Sequence, residues 1–309
     1  MALSDSRSSS QRISGGSLRP GLETLLVYLN LTKPRLLPMV LFTGLPVLGL
    51  SLGGWPSVGF VVMTLVGIAL VAASANTLNA YVERDMDARM ERTRARPLPA
   101  GEVAPRSALV FGLALGALGT FLLAAIGGAF AASLAVASIL FYVFVYTLWL
   151  KPRSAWNTVV GAAAGAAAPL LADATVRGSV GEVGLALFAI VFFWQPPHVW
   201  AITLYPKPEY EAAGVVMLPS VIGEEATRKR MLFWTLLLIP VSLLPVLLGW
   251  LGPLYGVVAL LANGAFIASA VRVKNRRTDE SARQMFRVSL AYLFTLFLTM
   301  NVEVVLKGL

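Results

Sequence analysis

Three side chains that carry oxygen ligands recur at a four-residue spacing in this chain: Asn79, Glu83 and Asp87. On a continuous helix they would lie on one face and extend along about 12 Å of its axis. An amide and two carboxylates suit Mg²⁺, which takes one or two carboxylates together with waters and phosphate oxygens. The spacing therefore indicates a Mg²⁺ site for a diphosphate. The alternative is that the acids solvate a helix end and pair with neighbouring arginines, because such short motifs often arise by chance.

Two other segments favour the metal–diphosphate hypothesis. The basic run Arg92-Thr-Arg94-Ala-Arg96 follows the acids, and its guanidinium groups could bind phosphate oxygens directly. A second acidic segment, 207–230, contains Glu209, which could supply metal ligands on the opposite side of the same diphosphate. We therefore predict that Asn79, Glu83, Asp87 and Glu209 bind Mg²⁺.

The chain has one histidine, His198, which follows Pro196-Pro197 in a long apolar stretch. Two consecutive prolines predict a break in a helix at this point. A polar side chain within an apolar span suggests function. His198 could bind a metal such as haem iron, transfer protons, or be a hydrogen-bonded structural group, and the sequence leaves these roles open.

The composition shows what kind of protein must position these groups. Of the 309 residues, 57% are apolar and 13% are charged, against about 25% charged in a typical soluble protein. This composition excludes a disordered chain, a coiled coil and an ordinary soluble enzyme. The absence of cysteine excludes disulfides and thiolate metal sites.

Long uncharged blocks predict an all-α, polytopic membrane protein. The blocks 36–82, 107–150 and 231–271 each have room for two spans, because one span needs about 20 apolar residues. Single spans are predicted over 155–172, 183–205 and 286–306. Turns within the blocks are predicted at Gly53-Gly54-Trp55-Pro56, Gly127-Gly128 and Gly252-Pro253. The total is nine transmembrane helices.

The distribution of lysine and arginine predicts the orientation. Of the 25 basic residues, all but Arg177 and Lys307 fall on one side if the N-terminus is cytoplasmic. We therefore predict a bacterial-type inner-membrane protein with its C-terminus on the outer side. Residues 1–24 are predicted to be a disordered cytoplasmic tail and 25–309 a single transmembrane domain. The net charge of +9 reflects this topology, so nucleic acid is not an expected partner.

Several segments resemble the UbiA-type intramembrane prenyltransferases, in particular those that farnesylate haem. The most specific are Arg92-Thr-Arg-Ala-Arg96-Pro-Leu-Pro99 and Trp194-Gln-Pro-Pro-His198, and the second distinguishes haem farnesylation from quinone prenylation. The other matching segments are Leu31-Thr-Lys33-Pro-Arg35, Asn79 through Asp87, Tyr146 through Lys151, Asn157 with Gly161, and Glu209-Tyr210 through Pro219.

The resemblance implies nine helices around a central cavity open to the cytoplasmic side. It also implies Mg²⁺-dependent transfer of farnesyl from farnesyl diphosphate to a vinyl group of haem B, which gives haem O for terminal oxidases. Haem A synthase is then a candidate partner within the lipid bilayer. The catalytic residues implied are Asn79, Glu83, Asp87, His198 and Glu209, although the family usually has Asp at positions 83 and 209. The substrate-binding residues implied are Lys33, Arg35, Arg92, Arg96, Lys151, Lys207 and Tyr210.

The reaction implied by the resemblance passes through an allylic cation. We expect aromatic side chains to shield this cation by cation–π contact, with Trp194, Trp200 and Tyr81 as candidates. Two alternatives remain from the sequence. One is a prenyltransferase with a phenolic or quinone acceptor. The other is a nine-span transporter, which would place its polar residues near mid-membrane within inverted repeats.

Overall fold

The computed structural model describes residues 20–204 and 216–307, and every regular element within these ranges is helical. Seven helical segments there are long and apolar enough to cross a membrane. The chain is thus an all-helical, multi-pass membrane protein. We number the helices in chain order: α1 Pro20–Leu31, α2 Leu37–Leu50, α3 Val58–Asp87, α4 Pro105–Leu140 with a π-helical continuation Phe141–Leu150, α5 Asn157–Gly165, α6 Ala167–Arg177, α7 Glu182–Thr203, α8 Leu218–Ile222, α9 Glu224–Leu247, α10 Pro253–Arg276 and α11 Asp279–Leu306.

The segment 105–150 reverses direction in its middle, as its glycine pair predicts. Gly128 has left-handed, non-helical backbone angles (φ 79°, ψ −173°). A Cβ added to Gly116 would lie 3.3 Å from the Ile139 side chain. In one straight helix these two residues would be about 35 Å apart. The segment is therefore two antiparallel helices joined at Gly127-Gly128.

The turn predicted at 53–56 separates α2 from α3. Ser57 begins α3 as an N-cap, because its hydroxyl accepts a hydrogen bond from the Phe60 amide at 3.3 Å. Helix α2 has only 14 residues, fewer than the roughly 20 that a span usually needs. Helix α1 begins at Pro20 and so includes residues 20–24, which were assigned to the N-terminal tail. Residues 1–19 lie outside the described part of the chain.

The single span predicted over 155–172 consists of two helices. Ala166 has non-helical angles (φ −92°, ψ 4°) and separates α5 from α6. Helix α6 then continues to Arg177 and ends at Gly178, whose left-handed backbone (φ 69°) is typical of a helix C-terminus. This break opens a space that the Gln195 side chain of α7 fills.

The break predicted at Pro196-Pro197 is wrong. Helix α7 continues through both prolines to Thr203. Each proline lacks one backbone donor, but α7 packs against α5, α6, α9 and α11, and this packing supports the helix. One anchor is the Trp194 indole, which donates to the Ser289 carbonyl of α11 at 2.7 Å.

The third predicted turn is confirmed at Gly252-Pro253, where Gly252 is the N-cap of α10 and Pro253 its first residue. Glu303, near the end of α11, is 5% exposed. Its carboxylate accepts from the Gly252 amide and, at 2.7 Å, from the Tyr255 amide. This buried acid therefore caps a neighbouring helix.

Candidate functional site

The helix that carries the acidic motif continues through the whole motif. Asn79, Glu83 and Asp87 lie on one face of the last turns of α3. They are 1%, 5% and 3% exposed, respectively. Their side chains line a small polar cavity of about 220 Å³. The shared face predicted from their spacing is confirmed.

Each of these three oxygen donors contacts a cation from another segment. The cations come from the turn between α1 and α2, the segment after α3, and the turn after the π-helix. Lys33 Nζ donates to Asn79 Oδ1 at 2.7 Å, Lys151 Nζ donates to Glu83 Oε1, and Arg96 Nη1 donates to Asp87 Oδ2 at 2.8 Å. The three buried oxygen groups and the three partly buried bases therefore form one polar layer.

Burial and charge act differently on the two lysines. Burial lowers the pKa of Lys33 to about 8, although the Glu83 carboxylate favours the charged form. Burial also opposes the charge of Lys151, but Tyr146 and the hydrogen-bonded Glu83 outweigh it and raise the pKa of Lys151. Lys151 is therefore a permanent cation at physiological pH.

The backbone directs Lys33 into this cavity. Lys33 has a left-handed φ of 55°, an unfavourable conformation for a non-glycine residue before proline. The turn is held by Asn76 Nδ2, which donates to the Thr32 carbonyl at 3.0 Å. Thr32 Oγ1 in turn donates to the Leu29 carbonyl at 2.7 Å. A backbone conformation of this unfavourable kind persists only where surrounding contacts hold it, and such positions often lie at functional sites.

The arginine-rich segment is tied to the end of α3. Thr93 is 1% exposed, and its hydroxyl donates to the Asp87 carbonyl at 2.8 Å. This bond fixes the loop that carries Arg92 and Arg96, both of which line the polar cavity. The threonine between the arginines therefore positions the basic groups against the acidic helix.

A larger apolar cavity of about 510 Å³ adjoins the polar one. Tyr142, Tyr146 and Met217 line both cavities, so the two meet there. The larger volume lies within the range of about 300–1,000 Å³ that is usual for small-molecule pockets. Arg35 lines this apolar cavity and not the polar one.

His198 also lines the apolar cavity, together with Trp194 and Gln195. Its ring stacks on Trp194, with centroids 4.3 Å apart, and contacts Phe286 at 4.8 Å. Its Nδ1 lies 2.6 Å from Ser289 Oγ. The histidine is therefore held between α7 and α11 with one edge toward the cavity.

The aromatic wall differs from the sequence-based expectation. Trp194 lines the cavity, but Trp200 is fully buried in the main core. Tyr81 lies under the Arg84 guanidinium, 4.8 Å from its ring centroid, and lines neither cavity. The rings at the junction are Tyr142 and Tyr146, which stack at 5.3 Å. Their four-residue spacing near the end of a span is the signal that could have revealed Tyr142.

Some predicted residues lie outside the described part of the chain. These are Lys207, Glu209 and Tyr210, so the second set of metal ligands stays a prediction. Two other acids of that segment, Glu224 and Glu225, are in the first turn of α9. Glu224 pairs with Arg228 at 2.6 Å, and Glu225 pairs with Arg277 at 3.1 Å.

The donor set of the polar cavity fits a divalent cation that also binds phosphate. Within the described ranges, no cluster of three or more His, Cys, Asp or Glu side chains could enclose a metal. Asn79, Glu83 and Asp87 supply two carboxylates and an amide, which leaves coordination positions for phosphate oxygens and water. The neighbouring cations could bind the remaining phosphate oxygens.

The family model of the UbiA prenyltransferase family matches residues 40–298, and the chain belongs to this family. It is 43% identical over 279 residues to a protein named protoheme IX farnesyltransferase from Symbiobacterium thermophilum, covering 90% of this chain and 93% of that protein. It is 42% identical over 306 residues to a protein of the same name from Azorhizobium caulinodans, covering 96% and 98%.

Solved structures share the fold. A digeranylgeranylglyceryl phosphate synthase superposes with a TM-score of 0.73 at 19% identity, covering 92% of this chain and 99% of that one. A UbiA homologue from Archaeoglobus fulgidus bound to DMAPP and Mg²⁺ superposes with a TM-score of 0.63 at 20% identity, covering 89% and 99%. The chain is therefore a membrane-embedded prenyltransferase of this family.

Proposed function

We propose that this chain transfers the farnesyl group of farnesyl diphosphate to a vinyl group of haem B and so forms haem O. The names of the curated relatives supply the substrates. The structural observation that carries the proposal is the pair of joined cavities, one polar and one apolar. Their contrast suits a substrate with an anionic head and a long apolar tail.

The polar cavity would hold the diphosphate. Asn79, Glu83 and Asp87 would bind Mg²⁺, and Glu209 would add a ligand from the opposite segment. The bound metal would neutralise charge on the leaving diphosphate. Lys33, Lys151 and Arg96 already face these oxygen donors. They would move to phosphate oxygens when the metal takes the carboxylates, and Arg92, Lys207 and Tyr210 would complete the binding site.

The apolar cavity would hold the farnesyl chain and the acceptor. Tyr142 and Tyr146 line the junction of the two cavities. They would flank the carbon that leaves the diphosphate, and each ring could stabilise an allylic cation by about 0.5–2 kcal/mol. The exposed Arg35 could pair with a carboxylate of the porphyrin. The names of the relatives favour haem over a phenolic acceptor.

We further propose nine membrane crossings around a central cavity open to the cytoplasmic side. The reversal at Gly128 makes two crossings of segment 105–150, and α2 makes a short one. The lysine- and arginine-rich segments then face the cytoplasm, with the C-terminus outside, in an inner membrane of the bacterial type. Haem O would pass from this side to an enzyme such as haem A synthase. Membership in a prenyltransferase family disfavours the transporter alternative.

The test is a reconstitution of the purified protein with Mg²⁺, haem B and farnesyl diphosphate, followed by mass analysis of the haem. We expect a product of the mass of haem O, and none when Mg²⁺ is chelated. A parallel reaction replaces haem B with a phenolic quinone precursor. Prenylation of the phenol without any change to haem would overturn the proposal.

A further inference from the structure

Two polar side chains lie next to each other in the wall of the apolar cavity. Gln195 and His198 are three residues apart on α7, so they occupy the same helix face, and both line the cavity. In apolar surroundings, a polar group without a partner costs free energy, so such groups are normally hydrogen-bonded. In the first step of the proposed reaction, the farnesyl group and the vinyl group offer no hydrogen bond to the cavity-facing atoms of these two side chains.

Ser289 determines which nitrogen of His198 carries the proton. The Ser289 hydroxyl has one proton, which it donates to the Phe286 carbonyl at 2.7 Å. It must therefore accept from His198 Nδ1, 2.6 Å away, and Nδ1 carries the hydrogen. The Nε2 atom then keeps its lone pair and is a hydrogen-bond acceptor. The bond from the Trp194 indole to the Ser289 carbonyl holds this arrangement between the two helices.

Gln195 has unused hydrogen-bonding capacity. Its amide makes no hydrogen bond to another side chain or backbone group among the described residues, and it faces the cavity beside the break between α5 and α6. A Cβ added to Gly165 would be 2.1 Å from Gln195 Nε2, so the glycine is what makes room for the amide. The fold therefore leaves room for an amide whose hydrogen bonds the described residues do not complete.

We propose that Gln195 and His198 Nε2 bind the water molecule that completes the reaction, with His198 as its base and Ser289 as the positioning residue. A water in an apolar cavity needs two or more polar partners, and these side chains supply them. The inference rests on the proposed function, because only the farnesylation of a vinyl group generates a cation that must be hydrated.

The chemical steps balance. The C1–O bond of farnesyl diphosphate breaks, and its electron pair leaves with diphosphate. The π pair of the vinyl group forms the new bond from its terminal carbon to C1, which leaves a cation on the inner vinyl carbon. A lone pair of the bound water forms the C–O bond to that carbon. One water proton passes to His198 Nε2, and the product is the alcohol.

The alternative fate of the cation provides the test. If no water is held beside it, the cation loses a proton from the adjacent methylene and becomes an alkene, which is lighter than the alcohol by one water. The proportion of alkene to alcohol therefore reports the bound water, independently of how fast the first bond forms. A merely structural side chain would change the rate and leave this proportion unchanged.

We would compare the wild type with Gln195→Leu and Gly165→Ala, using reconstituted protein and mass analysis of both haem products. Gly165→Ala keeps the glutamine but displaces its amide. In both variants we expect the alkene fraction to rise at least about 10-fold, since a positioned base or its partner commonly contributes factors of that size or more. The matched control is Thr43→Val in the same cavity, because the Thr43 hydroxyl already donates to the Val40 carbonyl at 2.9 Å. This control should keep the wild-type proportion.

Ser289→Ala removes the acceptor that keeps the proton on Nδ1 of His198. We expect it to raise the alkene fraction as well, while haem still binds. The proposal is overturned if Gln195→Leu and Gly165→Ala form only the alcohol. It is also overturned if His198→Ala removes an imidazole signature from the spectrum of bound haem, because Nε2 would then bind iron. A wild type that forms no farnesylated haem would instead refute the proposed function.

Discussion

At the residue scale, the polar cavity pairs each of its two carboxylates with a base. Glu83 and Lys151 have side chains that are 6% and 17% exposed, and each would be costly to bury alone. Asp87 is paired with Arg96 at 2.8 Å. Two further basic side chains line the cavity, so its lining carries more positive than negative charge, which suits an anionic ligand.

Asp87 provides the first test of this layer. Asp87→Asn should lower the rate of farnesyl transfer by about 100-fold or more, because it removes charge where the diphosphate leaves. The rate is measured per mole of folded protein, and folding is monitored by thermal unfolding. Asp85→Asn, two residues away, is the matched control, since the Asp85 side chain is 80% exposed and pairs with Arg84 at 3.7 Å. Equal rates in the two variants would refute the role of Asp87.

Lys151 should contribute mainly to diphosphate binding. Replacing it with methionine leaves Glu83 buried without its partner, so the informative protein is the double variant Glu83→Gln, Lys151→Met. The loss of a charged hydrogen bond is worth about 1.5–3 kcal/mol, and we expect inorganic pyrophosphate to bind about 10-fold more weakly or worse. Titration calorimetry of the double variant beside Glu83→Gln alone isolates the lysine. Arg153→Met should bind like the wild type, because Arg153 is not in the cavity lining and donates to two backbone carbonyls.

At the element scale, two acids that lie outside the polar cavity serve the fold. Glu303 accepts two amide protons at the start of α10, and Asp173 accepts from Ser51 Oγ and the Gly181 amide, each at 2.6 Å. Negative charge at a helix N-terminus is favourable because the amides there point outward without partners. These two acids therefore hold turns together, in contrast to the acids of α3.

Glu303→Ala should destabilise the protein without affecting the chemistry. Two backbone amides would lose their acceptor, at a cost of about 2–4 kcal/mol. The measurement is the thermal or denaturant midpoint in detergent, together with the farnesyl transfer rate of the folded fraction. Glu280→Ala on the same helix is the control, since its side chain is 72% exposed and pairs with the exposed Arg287. That change should stay within about 0.5 kcal/mol. A variant as stable as Glu280→Ala would show that the cap is unimportant.

The elements also show where sequence reasoning succeeds. Gly127-Gly128 marks a real turn because Gly128 adopts a left-handed backbone geometry that other residues disfavour. Gly252-Pro253 marks another because proline is favoured as the first residue of a helix. The acidic motif was predictable because helical spacing alone places its members on one face. Pro196-Pro197 misled the prediction because tertiary packing of α7 outweighs the two missing donors.

At the scale of the whole molecule, the unpredicted features are the ones that arise from packing. Arg35 is two residues from Lys33, yet the two line different cavities because a left-handed turn separates them. The bond between Ser289 and His198 joins segments that are distant in the chain. Such juxtapositions depend on how helices meet, and no local pattern encodes them. The charge blocks, in contrast, predicted the spans because each membrane crossing must exclude charge by itself.

The topology makes the last prediction, and the absence of cysteine makes it easy to test. Single cysteines replace exposed residues in three connecting segments: Ala100, Ala129 and Ser179. With nine crossings, a membrane-impermeant maleimide on intact cells should label positions 129 and 179, because both lie in outer turns. Position 100 should react only in inverted vesicles, because in the proposed topology the arginine-rich loop would face the cytoplasm. If the maleimide labels position 129 from neither side, segment 105–150 does not reach the membrane surface at Gly128. Labelling of position 100 from outside would place the acidic face of α3 on the wrong side of the membrane for a cytoplasmic diphosphate.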